Sequence, residues 1–148
     1  MKKNKGFSLV ELIIVIAIMA ILVGVMAPQL IKYIEKSKVS ADAQSADSVH
    51  TAIVTAMLDP EVAQASDYDT QVSGINGATI TEGAAIGGTG GGELAAAANE
   101  ILGGTAPILK SNGHSGFSID VSGSTVIVTL PGTDSTGKKA GSPNIVVK

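Results

Sequence analysis

The chain has 148 residues, no cysteine and a formal net charge of −3. This length suits one domain of ordinary size, and the missing thiols exclude disulfides and thiolate metal sites. All ten cationic residues are lysines, set against thirteen acids, and an acidic balance of this kind does not indicate a general nucleic-acid binder.

The first predicted element is an apolar segment that carries one charge near its start. Three lysines precede Gly6, and no side chain from Leu12 to Ala27 is polar. The run from Phe7 to Ile31 is long enough to cross a hydrocarbon layer of about 30 Å as a helix. The lysines predict an N-terminus inside and the rest of the chain outside. Glu11 stands out, because a charged side chain in a membrane segment is costly and by default functional.

The residues around this charge resemble the N-terminal signature of type IV pilins. That signature is a short basic leader, a glycine, a phenylalanine, a hydroxyl residue, a leucine, an apolar residue and a glutamate, followed by an apolar helix. The matching segment here is Lys2-Lys3-Asn4-Lys5-Gly6-Phe7-Ser8-Leu9-Val10-Glu11. The resemblance implies that a membrane prepilin peptidase cuts between Gly6 and Phe7 and that Phe7 is then N-methylated. It also implies a leader over 1–6, a transmembrane or filament-core half-helix over 7–30 and a globular domain over 31–148.

The resemblance further implies an assembly role for Glu11. Its carboxylate would neutralise the new Phe7 amine of a neighbouring subunit, because the attraction of a charge pair offsets much of its desolvation. The pair would also set the axial stagger between subunits, as buried polar groups fix register elsewhere. Two alternatives stay open: an ion pair within one chain, four residues apart, and a carboxylate that snorkels at the membrane surface.

Gly24 and Pro28 mark a predicted soft point of the long helix. Proline removes one backbone hydrogen bond and crowds the preceding turn. A mild kink is one outcome, and local unwinding on assembly, which the resemblance implies, is the other. Beyond Pro28, apolar residues recur at spacings of three to five and predict an amphipathic helix ending near Asp59. Asp42 falls among the polar positions of this helix, and His50 falls beside its apolar stripe.

The remaining predicted elements are short. The pattern predicts a helical turn over 61–65, a strand over 78–81, a helix over 93–102, and strands over 117–121, 125–130 and 144–148, with a turn at 74–77. Ser122-Gly123-Ser124 between two of these strands indicates a hairpin. The fold class expected is therefore α+β, in which a long N-terminal helix packs on a small antiparallel β-sheet.

Two glycine-rich segments resemble nucleotide-binding loops in composition. The first, 83–92, lacks the spacing of the dinucleotide fingerprint and is predicted to be a loop. The second, 132–139, has phosphate-loop spacing, but Lys139 stands where Ser or Thr must hold magnesium. No nucleophile, base and orienting group can be assembled elsewhere. The sequence therefore predicts no catalytic residue, no cofactor and no metal site, and the chain is not expected to be an enzyme.

The function implied by the resemblance is structural: a subunit that polymerises into an extracellular type IV pilus from a pool anchored once in the cytoplasmic membrane. The implied partners are further copies of the chain, the prepilin peptidase, an inner-membrane assembly platform and a cytoplasmic ATPase. A pseudopilin of a type II secretion or competence system is one alternative, and a single-pass surface protein that never polymerises is another. Many pilins close their C-terminal region with a disulfide, and the absence of cysteine suits the Cys-free pilins of some Gram-positive bacteria. Adhesion, twitching, DNA uptake and biofilm formation all stay open.

Overall fold

The computed structural model describes residues 6–87, 92–111, 113–131 and 145–148. Its elements in chain order are α1 (Leu9–Met57), α2 (Pro60–Ala63), α3 (Tyr68–Ile75), β1 (Ala78–Thr81), α4 (Gly92–Leu102), β2 (Gly116–Ser122), β3 (Thr125–Leu130) and β4 (Ile145–Val147). The long helix and the antiparallel sheet confirm the predicted α+β, pilin-like fold.

Helix α1 changes character along its length. Its first part is apolar and exposed, from Leu9 at 73% to Ile34 at 45% of the side chain's full exposure. In its second part the buried residues recur with the period of one helix face; they are Asp42, Ala46, Val49, Ala52, Ile53, Ala56 and Met57. The chain divides into two compact units between Ser37 and Lys38. One unit therefore presents an uncovered apolar helix, and the other contains the core.

The sheet is an antiparallel meander in the order β1-β2-β3-β4. Strands β2 and β3 form the predicted hairpin, in which Ser122 is paired with Thr125. Gly123 in the connecting turn has φ 61°, a left-handed conformation that glycine adopts without steric cost. Buried and more exposed residues alternate along both strands, so one face of the hairpin covers the core.

The core of the globular unit joins one face of α1 to the inner face of the sheet. Val49 and Ile53 lie in one buried cluster with Phe117, Ile119 and Val128. Phe117 supplies the bulkiest fully buried side chain of this cluster. Since most other members are aliphatic, the core depends on many modest contributions at roughly 25 cal/mol for each Å² of apolar surface buried.

Helix α3 differs from the sequence expectation, which placed only a turn at 74–77. Its buried residues are Gln71 and Ile75. Half-buried Tyr68 and Val72 also pack against the core, so the apolar residues of α3 do recur at helical spacing. The Gln71 side-chain oxygen accepts a hydrogen bond from the backbone N–H of Leu94 at 2.8 Å. This bond satisfies a donor in the first turn of α4, which has no partner within its own helix. The role of Gln71 therefore depends on α4, which no local pattern reveals.

Candidate functional site

The long helix begins within the N-terminal motif. Ser8 is the last residue before α1, and its carbonyl accepts a hydrogen bond from the backbone N–H of Leu12 at 3.2 Å. The Glu11 carboxylate accepts a hydrogen bond from the backbone N–H of Ser8 at 2.8 Å. A serine at the helix start and a glutamate three residues later, reaching back to it, form the glutamate half of a capping box.

This capping contact is absent from the sequence predictions, although the Ser-x-x-Glu spacing is a recognised signature of a helix start. It holds the Glu11 carboxylate beside the backbone of Ser8, the residue that directly follows Phe7. A carboxylate has about four lone-pair sites. Glu11 can therefore keep the Ser8 contact and accept a further donor, such as a nearby amine.

The bond between Gly6 and Phe7 lies in exposed, non-helical backbone. The side chain of Phe7 is 88% exposed, and a Cβ atom built on Gly6 meets no atom within 4 Å. Exposed chain ends outside regular structure are preferred sites of proteolytic cutting. The lysines of the leader lie outside the described residues.

The exposed part of α1 is an unusual surface for a single chain. Among the described residues, α1 is the one helix long and apolar enough to cross a membrane, and its most apolar window is not buried at all. Contiguous exposed apolar surface of this size marks contact with lipid or with other protein. Because side chains from Leu9 to Ile34 are exposed all around the helix, the surface suits a lipid phase or a bundle of similar helices.

Gly24 and Pro28 both lie inside α1, which is continuous through them. Proline has no backbone N–H, so the Gly24 carbonyl, four residues earlier, lacks its usual helical donor. Gly24 and Pro28 are therefore the two residues that an i to i+4 helical hydrogen bond would join, and that bond cannot form. A Cβ atom built on Gly24 meets no atom within 4 Å, so nothing in the single chain excludes a larger residue there.

A second polar group is buried in the globular unit, around Asp42. This residue is 0% exposed, and Ser111 and His114 are 5% and 6% exposed. One Asp42 oxygen accepts a hydrogen bond from the backbone N–H of Lys110 at 2.6 Å, and the other accepts from the backbone N–H of Ser111 at 3.1 Å. The second oxygen also lies 3.0 Å from His114 Nδ1 and accepts from the Ser111 hydroxyl. The cluster holds α1 against Lys110, Ser111 and His114.

The assignment of Asp42 to the polar face of the helix was therefore wrong. Burial acts to raise the pKa of Asp42, but the hydrogen bonds from Lys110, Ser111 and His114 outweigh burial and leave that pKa below its ordinary value. Each of these bonds favours the charged carboxylate over the neutral acid. Asp42 is thus a buried charge that is stabilised by donors from the loop.

The cluster contains the three residue types of a hydrolase triad but not its geometry. His114 Nδ1 faces both the Ser111 hydroxyl, at 2.8 Å, and the Asp42 carboxylate, at 3.0 Å. In a triad the imidazole uses opposite ring nitrogens, one toward the serine and one toward the aspartate. With all three side chains buried, the arrangement holds structure together and does not present a nucleophile.

The remaining sequence predictions concern His50, metal binding and the two glycine-rich segments. His50 is half-buried beside the core face, as expected. Within the part of the chain that the structure describes, no group of three potential ligands could hold a metal ion. The segment 132–139 with phosphate-loop spacing lies outside the described residues, as do residues 88–91 of the glycine-rich segment.

Comparison with known proteins bears directly on the N-terminal motif. The family described as "Prokaryotic N-terminal methylation motif" matches residues 1–27. The "Type IV major fimbrial protein FimA" of Dichelobacter nodosus is 45% identical over 56 residues, covering 38% of this chain and 36% of that protein. A "Fimbrial protein" of Pseudomonas aeruginosa is 35% identical over 86 residues, covering 56% of each chain. The chain thus spans between about a third and just over half the length of these relatives.

No solved structure matches the chain. The methylation motif and the two fimbrial relatives support a type IV pilin. They do not favour a pseudopilin or a surface protein that never polymerises. Both relatives are named as fimbrial proteins and not as enzymes.

Proposed function

We propose that this chain is the structural subunit of a type IV pilus. The observation that carries the proposal is the contiguous motif from Gly6 to Glu11, placed directly ahead of a helix whose apolar side chains are exposed. Such a helix is stable in lipid. Packing against identical helices in a filament would also remove its apolar side chains from water. The precursor is then a membrane-anchored pool, and the product is a filament at the cell surface.

The proposed organisation follows the positions of the motif. Residues 1–6 form the leader, 7–30 form the membrane anchor that becomes the filament core, and 31–148 form the globular domain on the outside. The lysines of the leader favour an N-terminus inside the cell. The machinery would be a prepilin peptidase, an inner-membrane platform and a cytoplasmic ATPase, with other copies of the chain as the main partner.

The maturation step gives a direct test. Mass spectrometry of the surface protein should find a mature chain that begins at Phe7 and carries one methyl group on its amine, while membranes lacking the peptidase should retain the leader. Electron microscopy of the same cells should show surface filaments that contain this chain. A mature N-terminus at any other residue contradicts the processing proposal, and a chain found only as a monomer at the surface contradicts the assembly proposal.

Glu11 is proposed to pair with the Phe7 amine of a neighbouring subunit. The capping contact with Ser8 supports this proposal, because it fixes the carboxylate at the start of the helix and leaves other lone pairs available. The pair would form where both charges leave water, so each group would be costly to bury without the other. It would also define how far one subunit is displaced along its neighbour.

Pro28 is proposed to let α1 unwind locally when subunits pack together. A Pro28→Ala variant restores the hydrogen-bond donor to the Gly24 carbonyl, and proline in a helix interior costs about 3 kcal/mol relative to alanine. We therefore expect a helix that is harder to unwind and a filament yield several-fold lower, measured by shearing and immunoblotting. Gly24→Ala, which stiffens the helix by about 1 kcal/mol, should have a smaller effect of the same sign. Unchanged yield in both variants would favour the mild kink.

A further inference from the structure

Two adjoining depressions that share Asp59, Ala97 and Glu100 form a shallow groove on the globular unit, where the residues after α1 and helix α2 lie beside α4. We call the apolar lining of the first depression the floor; it consists of Leu58, Ala97 and Ile101. Leu58 is 76% exposed and Ile101 is 49% exposed. Large apolar side chains that share one concave surface, with polar residues around them, are typical of a contact site for another protein.

The edge of this groove is acidic. Four acids line it, and we call them the acidic rim: Asp59, Glu61, Glu93 and Glu100. Among the described residues that line the groove there is no lysine. Such a surface attracts a positively charged partner and repels a negatively charged one.

A complementary surface lies on α1 of the other compact unit. Gln29, Lys32, Tyr33 and Lys36 share one helix face, and we call them the basic stripe. Tyr33 is 69% exposed between the two exposed lysines. Within the described residues, neither Lys32 nor Lys36 forms an ion pair. The stripe therefore presents an aromatic ring flanked by two positive charges.

We propose that the groove of one subunit receives the basic stripe of a second copy of this chain. The Tyr33 ring covers the apolar floor formed by Leu58 and Ile101, and the ammonium groups of Lys32 and Lys36 face the acidic rim. Covering the floor removes apolar surface from water, and the opposed charges fix the register and suppress wrong pairings. The charge pattern of the groove, acidic around apolar, matches the pattern of the stripe, basic around aromatic.

This inference rests on the proposed filament, because the stripe directly follows the apolar segment 7–30. A neighbour's globular domain meets the stripe only when the apolar helices of several subunits are bundled. One chain supplies both surfaces, so every subunit inside the filament can use its groove and its stripe at once. A contact of this kind is heterologous and propagates as a helical polymer.

Charge reversal tests the pairing in cells that assemble the wild-type filament. Glu93→Lys with Glu100→Lys should lower the yield of sheared filaments about tenfold, and Lys32→Glu with Lys36→Glu should do the same, because like charges then face each other. Combining all four substitutions should restore the yield to within about threefold of wild type. Asp120→Lys, which reverses an exposed acid on β2 away from the groove, is the matched control and should assemble normally.

A cross-linking experiment keeps every charge in place and covers the case in which a reversed variant fails to fold. Thr55 also lines the groove, beside Leu58. The chain has no cysteine, so Gln29→Cys on the stripe and Thr55→Cys on the groove introduce the only two thiols. Filaments carrying both, treated with a short thiol-reactive cross-linker, should give a ladder of covalent oligomers on a denaturing gel. Each single-cysteine variant should give no ladder beyond a dimer.

The outcomes separate this inference from the proposed function. Three results would each overturn the groove contact while leaving the pilus intact. The reversal variants could assemble as well as wild type, the fourfold variant could fail to regain filament yield, or the double-cysteine variant could stay monomeric after cross-linking. Absence of filaments from wild-type cells that carry the full machinery would instead overturn the proposed function itself.

Discussion

A Glu11→Gln variant should assemble into filaments at less than about a tenth of the wild-type yield, although its first helical turn stays intact. Glutamine keeps a side-chain oxygen that can accept the hydrogen bond from the Ser8 backbone N–H, at 2.8 Å in the wild type. It has no charge with which to neutralise the Phe7 amine of a neighbour. Leaving one member of a buried charge pair without its partner costs about 3–5 kcal/mol, which is about two to four powers of ten in an association constant.

The measurement compares three variants at equal expression. Glu11→Gln removes the charge and keeps the cap, Glu11→Ala removes both, and Ser8→Ala leaves the Glu11 carboxylate and the backbone N–H unchanged. We expect similar, severe losses of sheared filament for the two Glu11 variants and near-normal assembly for Ser8→Ala. Mass spectrometry of the membrane fraction shows whether each variant has been cleaved after Gly6, which separates a processing defect from an assembly defect.

If Glu11→Gln assembled as well as wild type while Glu11→Ala did not, the role of Glu11 would be limited to capping the helix. Normal assembly of both variants would remove Glu11 from the mechanism altogether.

Asp42→Ala should lower the free energy of unfolding of the globular unit by about 3–5 kcal/mol, because each buried donor left without an acceptor costs about 1–3 kcal/mol. Removing the carboxylate leaves the backbone N–H groups of Lys110 and Ser111 without their acceptor, together with the Ser111 hydroxyl. Such a loss is a large part of the 5–15 kcal/mol that stabilises an ordinary domain. Thermal unfolding of the full chain in detergent, followed by circular dichroism, measures the effect.

The matched control is Asp47→Ala, which removes an exposed acid from the same helix and should change stability by less than about 0.5 kcal/mol. Equal melting temperatures for Asp42→Ala and the control would show that the buried cluster does not stabilise the domain. Ser111→Ala should fall between these two variants, because it removes one hydroxyl donor and leaves the backbone donors in place.

The cluster also predicts how stability depends on pH. Because the pKa of Asp42 is lower in the folded chain, its contribution to stability is complete above the unfolded pKa of about 3.9. The contribution is lost as pH falls through the folded pKa, when the folded state must take up a proton. As pH falls below about 5, the free energy of unfolding of wild type should therefore decrease more than that of Asp42→Asn. Parallel losses in the two proteins would contradict the assignment.

The sequence could predict those parts of the fold that repeat locally. The apolar residues of α1, the alternation in β2 and β3 and the alanine-rich α4 each reveal their element within a short window. Glu11, Gly6 and Phe7 were identified by the order of a contiguous motif, which depends on nothing elsewhere in the chain. Their roles in cleavage and assembly stay predictions.

The features that local patterns could not predict are contacts between residues far apart in the chain. Asp42 looks like any acid on a polar helix face, since its hydrogen-bond donors lie 68 to 72 residues further along the chain. The burial of Gln71 in α3 is hidden for a similar reason, because its side-chain oxygen accepts a hydrogen bond from Leu94, 23 residues away. A polar residue that completes a distant helix or loop leaves no periodic signal.

The Asp42 cluster has a mechanical consequence. It closes a loop of some seventy residues between α1 and the 110–114 segment with hydrogen bonds alone, in a chain without cysteine. A covalent bridge would limit how far a pulled domain can extend, whereas this contact gives way and lets the intervening chain lengthen. No oxidant is needed to make the contact again, so a domain unravelled by tension recovers through refolding alone once the load is released.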